Sequence, residues 1–259
     1  MSRESKFNTS LHKLRNHGKN YITVDMGNTR IKIGFFDKGR LVNLLVWKGI
    51  EDFRKQGFIA GLRGATVIVS SVHDDKNLLE LLSDSADKYY YLTQHTPTPV
   101  RTLYKTPDTL GKDRIAAVVG AHAAFPDKNI LVFDIGTCMT YDLIDQGGTH
   151  RGGNIAPGLH LRYRSMHEGT AKLPRVNPRL NGDILGVDTI SALQNGGLFG
   201  LICEIEGIAT RIAKEFRNFG LVLTGGDAEL IGNQLSIPYQ LRPNLVLEGL
   251  YEIAKYNEH

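Results

Sequence analysis

The sequence predicts a protein of the α/β class built from two similar halves. Segments rich in β-branched and aromatic residues alternate with segments of helical character along most of the 259 residues, as in folds that pack helices on the faces of sheets. An apolar strand that ends in aspartate and continues into a glycine turn occurs twice, at Asp25 and at Asp134, 109 positions apart. Self-similarity over so long an interval indicates a duplicated domain.

The first half begins with a predicted hairpin. Residues 21–24 form an apolar strand that ends at Asp25, residues 31–36 return beside it, and residues 37–40 have turn composition. Asp74 and Asp75 are the predicted N-cap of the first helix. Further strands are predicted at 41–47 and 66–72, and helices at 76–86 and 113–125.

The second half repeats this opening. Strands are predicted at 129–133, 139–144 and 220–224, a turn at 145–148, and helices at 189–216 and 245–256. Gly196 and Gly197 fall inside the long helix and cost about 1 kcal/mol each relative to alanine. We therefore expect either a break or a close contact there, the latter at a dimer interface in one interpretation.

The domain boundaries follow from these elements. We expect a flexible basic N-terminal extension at residues 1–19, a first domain at 20–127 and a second at 128–259. The formal net charge of +4 lies in this extension, because residues 1–20 hold five basic and one acidic side chain, which leaves 26 of each in the body. A neutral body lacks the electrostatic footprint of a nucleic-acid-binding protein.

Cysteine content and hydropathy exclude several further classes. Cys138 and Cys203 do not form a CxxC pair, so a disulfide framework or a thiolate metal site is not expected. No apolar run approaches the ~18 residues of a membrane span, and the N-terminus lacks the apolar region of a secretory signal. These features predict a cytoplasmic protein without a membrane partner. Trp47 is predicted in the core or at an interface, and Cys203 in the core. Residues 160–167 are predicted on a solvated basic helix face.

The two aspartate turns have the composition of phosphate-binding loops. Gly27 permits a tight turn and close approach of a phosphate to the backbone, and the N–H groups of such turns bind anions. Asp25 can hold Mg²⁺ directly or through water, and Lys32 lies on the returning strand. A plain hairpin is the alternative interpretation, but two copies suit a nucleotide held between two similar domains.

Asp113 and Arg114 open the predicted helix at 113–125. Asp113 alone suits an N-cap or first-turn carboxylate. The functional alternative is a general base beside Arg114, whose guanidinium recognises a carboxylate on a second substrate in bidentate fashion.

Five motifs, in the same order, resemble those of the type III pantothenate kinase family. They cover roughly residues 20–255 and include the DxGNTxxK phosphate motif and the GxDR motif of that family. They lie at 25–32, 111–114, 134–137, 152–158 and 225–228. Cys138 departs from the family, in which a small residue usually follows the second phosphate motif.

This resemblance implies two ribonuclease-H-like, actin-like domains with a central nucleotide cleft. It implies transfer of a phosphoryl group from ATP to pantothenate, giving 4′-phosphopantothenate in the first step of coenzyme A synthesis. It also implies a need for Mg²⁺ and for a monovalent cation, K⁺ or NH₄⁺, and a homodimer. The alternatives are another small-molecule kinase of the same superfold and a non-catalytic actin-like or regulatory protein.

The resemblance also carries roles to individual positions of this chain. Asp113 matches the catalytic base, and Asp134 matches the ligand of the monovalent cation. The positions that match ATP contacts are Asp25, Met26, Gly27, Asn28, Thr29, Arg30, Ile31, Lys32 and Thr137. The positions that match pantothenate contacts are Tyr104, Gly111, Lys112, Asp113, Arg114 and Thr189.

Overall fold

The computed structural model describes residues 20–54, 62, 64–73, 75–179 and 183–258. The expected N-terminal extension at 1–19 lies outside these residues. The strands are β1 (Asn20–Met26), β2 (Ile31–Asp37), β3 (Arg40–Trp47), β4 (Ala65–Ser71), β5 (Lys88–Tyr91), β6 (Arg101–Thr102), β7 (Asn129–Ile135), β8 (Cys138–Ile144), β9 (Thr149–Pro157), β10 (Phe219–Thr224) and β11 (Gln240–Leu241). The helices are α1 (Gly49–Arg54), α2 (Lys76–Ser85), α3 (Lys112–Ala124), α4 (Leu159–Glu168), α5 (Thr189–Glu215), α6 (Ala228–Gly232) and α7 (Leu245–Tyr256), with a 3₁₀ turn at Pro107–Thr109.

The described residues form two compact units, one made of residues 20–124 and 245–258 and the other of residues 125–244. We expected the second domain to extend over 128–259, but α7 belongs to the first unit. It packs against α3 at a crossing of two glycines, Gly120 and Gly249. A Cβ on Gly249 would lie 1.7 Å from the carbonyl oxygen of Ala116, so only glycine permits so close an approach of the two helices.

The sheet of the first unit has the order β3-β2-β1-β4-β5. β3, β2 and β1 pair with one another in antiparallel fashion, and β4 and β5 continue the sheet from β1 in parallel pairing. The turn between β2 and β3 has positive φ at Lys38 (46°) and Gly39 (82°), which suits a two-residue hairpin. Trp47, expected in the core or at an interface, is buried at the end of β3 with its ring centroid 5.3 Å from that of Phe53.

The sheet of the second unit has the same plan. Its own strands run in the order β9-β8-β7-β10-β11, with antiparallel pairing of β7, β8 and β9 and parallel pairing of β7, β10 and β11. The central strand of each of these five-strand orders therefore carries an aspartate near its end, Asp25 on β1 and Asp134 on β7. The duplication predicted from the repeated motif is confirmed at the level of topology.

The long helix α5 is continuous through Gly196 and Gly197. Gly197 is buried where α5 meets α4, and a Cβ there would lie 2.3 Å from the ring of Tyr163. The close contact that we expected at the glycine pair is therefore present, at Gly197, and the expected alternative of a break in the helix is wrong. Cys203, expected in the core, is instead exposed, because the buried face of this part of α5 is occupied by Leu201 and other larger apolar residues.

Each unit has its own hydrophobic core. In the first, apolar side chains of β1, β2 and β4 pack with α2, and in the second, those of β7 and β10 pack with α4 and α5. Among the helices that the structure describes, none has both the length and the apolar composition required to cross a lipid bilayer.

Candidate active site

The first predicted phosphate loop connects β1 and β2. Its turn is closed by a hydrogen bond from the N–H of Gly27 to the carbonyl oxygen of Arg30, at 3.1 Å. Asp25 and Lys32 are direct partners in the antiparallel ladder, so their side chains leave the same face of the sheet. The arrangement places a carboxylate and an ammonium beside a turn whose residues Asn28 to Arg30 are exposed.

Two residues of this motif have their side chains in the core. Met26 and Ile31 are fully buried because each lies on the inward face of its strand. Any contact that they make with a nucleotide is therefore limited to their backbone atoms.

His73 adds a contact to this loop that the sequence did not reveal. Its Nε2 lies 3.1 Å from the carbonyl oxygen of Gly27, and its own backbone N–H donates to the hydroxyl of Ser71 at 2.9 Å. His73 and Gly27 are 46 positions apart in the chain, and only the parallel pairing of β1 with β4 brings them together. A lone histidine carries no motif, so no sequence signal was available.

The second predicted group opens α3. Arg114 is 4% exposed, and its guanidinium carbon lies 5.3 Å from the centroid of the Tyr104 ring, within the range of a cation–π contact. The structure thus brings together two residues predicted to bind the same substrate. A buried guanidinium beside an aromatic ring is suited to holding a carboxylate in fixed orientation.

Asp113 lies in the first turn of α3, where its carboxylate is half-buried. Its Oδ1 accepts a hydrogen bond from the backbone N–H of Arg114 at 2.9 Å. A Cβ on Gly111 would lie 2.5 Å from that oxygen, so the glycine leaves the space that the carboxylate occupies. This geometry fits both the first-turn carboxylate and the general base considered from the sequence.

The ammonium of Lys112 is held by its own unit. It donates to the hydroxyl of Tyr91 at 2.9 Å and to the carbonyl oxygen of Ser71 at 3.5 Å, and it lies 4.3 Å from the centroid of the Tyr91 ring. Lys112 therefore anchors the start of α3 to the end of β4.

The second predicted phosphate loop connects β7 and β8 in the other unit. The N–H of Gly136 donates to the carbonyl oxygen of Cys138 at 3.0 Å, and Thr137 and Cys138 are exposed. Gly225, with φ of +99°, approaches Asp134 so closely that a Cβ would lie 2.5 Å from its Oδ1. The glycine-rich turn at the end of β10 therefore packs directly on the aspartate.

Thr189 is the first residue of α5 and is exposed. Asp188 caps this helix, with its Oδ1 accepting from the N–H of Ser191 at 2.9 Å in a capping box. Hydrogen bonds from Ser191 hold the pKa of Asp188 below its ordinary value. The position of Thr189 is thus fixed by a well-formed helix start.

The carboxylates of the two aspartate loops suit a metal ion that binds together with a nucleotide. Within the described ranges, no three His, Cys, Asp or Glu side chains cluster as a metal site. Mg²⁺ bound with a nucleotide needs only one or two carboxylates besides phosphate oxygens and water. The carboxylate of Asp25, near the end of β1, fits that requirement, and Asp134, near the end of β7, supplies a carboxylate where the monovalent cation is expected.

Comparison with known proteins shows relatives along nearly the whole chain. A family model described as type III pantothenate kinase matches residues 21–211. The type III pantothenate kinase of Flavobacterium johnsoniae is 35% identical over 237 residues, which cover 91% of this chain and 97% of that protein. That of Bacteroides fragilis is 36% identical over 237 residues, which cover 91% and 98%.

Solved structures agree on the fold. A Campylobacter jejuni protein described as a Baf family transcriptional activator has a TM-score of 0.63 at 23% identity, covering 92% of this chain and 98% of that one. MreB 5 of Spiroplasma citri has a TM-score of 0.50 at 12% identity, covering 93% and 98%. Identities this low carry the fold alone, and they confirm the predicted actin-like α/β class.

Proposed function

Because the chain belongs to the type III pantothenate kinase family, we propose that it transfers the γ-phosphoryl group of ATP to the primary hydroxyl of pantothenate. The product is 4′-phosphopantothenate, and the reaction is the first step of coenzyme A synthesis. The observation that carries the proposal is the grouping of Asp113, Arg114 and Tyr104 at the start of α3. It supplies a proton acceptor next to a buried cation.

Arg114 binds the carboxylate of pantothenate in this proposal. Burial of the guanidinium strengthens its attraction for an anion, and the Tyr104 ring restricts its orientation. Thr189 and the backbone of Gly111 and Lys112 complete the contacts to pantothenate. The side chain of Lys112 serves by anchoring this turn to Tyr91.

ATP is bound by the two aspartate loops. Residues 25–32 offer backbone N–H groups, the exposed side chains of Asn28, Thr29 and Arg30, and the ammonium of Lys32 to the phosphates. Thr137 offers a hydroxyl from the second loop. His73 contacts the carbonyl oxygen of Gly27 at 3.1 Å and so supports the turn in its conformation.

The transfer step is written as an in-line displacement. The hydroxyl oxygen of pantothenate forms a bond to the γ-phosphorus while the bond from that phosphorus to the bridging β–γ oxygen breaks. The bridging oxygen keeps the electron pair and leaves on ADP. The hydroxyl proton passes to the carboxylate of Asp113, a role typically worth about 10²–10⁴-fold in rate. Positioning and neutralisation of charge supply most of the remaining acceleration.

Two ions belong to the proposal. Asp25 would hold Mg²⁺, directly or through water, and Asp134 would hold K⁺ or NH₄⁺. When bound with ATP, these cations neutralise part of the charge on the phosphates. We further propose a homodimer and no nucleic-acid or membrane partner.

The test is ATP-dependent phosphorylation of pantothenate, run in potassium, ammonium and sodium salts. Product in potassium or ammonium and little in sodium supports both the reaction and the monovalent cation. Glucose and acetate, offered in place of pantothenate, test the alternative of another kinase of this superfold. Sedimentation with ATP tests the actin-like alternative, which predicts polymers. Folded protein that forms no product from pantothenate in any of these salts would overturn the proposal.

A further inference from the structure

The side chain of Arg162 spans the corner between β9 and α4. The Nε–H of Arg162 donates to the carbonyl oxygen of Pro157 at 2.9 Å, and its Nη2 forms an ion pair with the carboxylate of Glu204 on α5. The side chains of Arg162 and Glu204 are 20% and 28% exposed. The planar guanidinium thus joins a backbone carbonyl and a carboxylate in one fixed geometry.

The same corner lies directly on the second phosphate loop. The N–H of Gly158 donates to the carbonyl oxygen of Thr137 at 3.2 Å. A Cβ on Gly158 would lie 2.1 Å from the carbonyl oxygen of Gly136 and 2.7 Å from that of Thr137. Backbone meets backbone here with no side chain between, so displacement of the corner moves the loop.

Helix α5 is the support for this corner. In addition to the ion pair of Glu204 with Arg162, the carbonyl oxygen of Gln194 on α5 accepts a hydrogen bond from the hydroxyl of Tyr163 at 2.8 Å. The Tyr163 ring also packs against Gly197 of α5. Arg162 and Tyr163 therefore tie α4 to α5 at two separate points. Of these two side chains, that of Arg162 also contacts Pro157, the last residue of β9 before the corner.

Arg164, on the same helix, shows what an ordinary surface pair looks like here. Its Nε lies 4.0 Å from Glu168, and the two side chains are 52% and 65% exposed. Such pairs contribute little. The solvated basic face expected for residues 160–167 describes His160, Arg164 and His167, which are exposed, but not Arg162.

We propose that Arg162, held by Glu204, is a positioning residue that sets the Gly136–Thr137 loop for binding of the ATP phosphates. This inference rests on the proposed function, because it assigns ATP to that loop. Arg162 acts through Pro157 and Gly158 and need not touch the nucleotide itself.

The test is a double-mutant cycle on ATP affinity, measured by calorimetry without pantothenate. We expect Arg162→Met to raise the Kd for ATP about tenfold, the effect of one well-placed interaction. In a Thr137→Ala background, the same substitution should raise the Kd less than about twofold. The Thr137 hydroxyl, which is the ATP contact that Arg162 positions, is already absent there. Arg164→Met is the matched control and should leave the Kd unchanged.

A second variant guards against simple unfolding. Arg162→Lys keeps the charge opposite Glu204 but lacks the guanidinium fork that also reaches Pro157, so we expect it to melt close to the native chain and still to bind ATP several-fold more weakly. Native ATP affinity in folded Arg162→Lys would overturn the inference. So would an equal rise in Kd on Arg162→Met in the native and Thr137→Ala backgrounds.

The proposed function and this inference fail differently. A native chain that binds ATP but does not phosphorylate pantothenate contradicts the proposed function, while the binding cycle still decides the role of Arg162. A native chain that binds no ATP overturns both.

Discussion

The guanidinium of Arg114 lies against the ring of Tyr104, with 5.3 Å between the guanidinium carbon and the ring centroid. The two residues are ten positions apart and are separated by the 3₁₀ turn at Pro107–Thr109. Burial of Arg114 to 4% exposure fixes the orientation of a cation that recognises a planar anion. This contact leads to a prediction about substrate affinity.

Arg114→Lys should weaken binding of pantothenate selectively. Lysine keeps the charge but lacks the bidentate donors, so we expect the KM for pantothenate to rise about 10–100-fold, as for a lost charged hydrogen bond. The KM for ATP should change less than about twofold, since Arg114 is assigned to pantothenate. Lys105→Met, at an exposed neighbour of Tyr104, is the control. An equal rise in both KM values would remove Arg114 from the carboxylate-binding role.

Gly196 and Gly197 should respond in opposite ways to alanine. A Cβ on Gly197 would lie 2.3 Å from the Tyr163 ring, whereas a Cβ on Gly196 would meet nothing within 4 Å. We expect Gly197→Ala to lower the free energy of unfolding by about 1–3 kcal/mol through overpacking. Gly196→Ala should raise it by about 0.5–1 kcal/mol through helix propensity. Urea denaturation measures both, and destabilisation by Gly196→Ala would contradict the described contact geometry.

Glu258, the last residue that the structure describes, should stabilise the first unit. Its carboxylate accepts hydrogen bonds from the hydroxyls of Tyr21 at 2.5 Å and Thr66 at 2.7 Å, and its side chain is 2% exposed. We expect Glu258→Gln to lower the free energy of unfolding by about 1–3 kcal/mol. Glu252→Gln, which removes a more exposed pair with Lys255, should change it by less than about 1 kcal/mol. Equal effects would show that burial of Glu258 contributes nothing.

Buried tyrosines predict a loss of stability at alkaline pH. Burial raises the pKa of Tyr163 to about 12, so the folded chain keeps a proton that the unfolded chain releases near pH 10. Stability from this group is therefore complete below pH 10 and is lost as the pH rises through 12. Tyr163→Phe should show a shallower decline in the free energy of unfolding between about pH 10 and 12 than the native chain. Parallel declines would contradict the assignment.

Local patterns predicted much of this fold. The hairpin from Asn20 to Asp37 and the long helix from Thr189 to Glu215 follow from alternation, turn composition and capping within single segments. The repeat of the aspartate turn predicted two sheets of equal plan, because the duplicated motif lies on the central strand of each. Asp75 also caps α2, as expected from its position before the helix.

Such local patterns could not predict the contacts between segments that are distant in the chain. The membership of α7 in the first unit depends on the pairing of Gly120 with Gly249, and neither glycine identifies its partner. Cys203 is exposed because larger apolar side chains cover the buried face of its helix, a competition that composition does not show. His73 reaches the first phosphate loop only through the pairing of two strands.

The most direct test of the account is the turnover of Asp113→Asn. The amide keeps the size of the carboxylate but cannot accept the proton of the pantothenate hydroxyl, so kcat should fall about 10²–10⁴-fold. Calorimetry should show ATP bound as tightly as by the native chain, and Asp108→Asn, at an exposed aspartate of the preceding turn, should retain full activity. Near-native turnover in folded Asp113→Asn would contradict the assignment of Asp113 as the base, and with it the proposed mechanism.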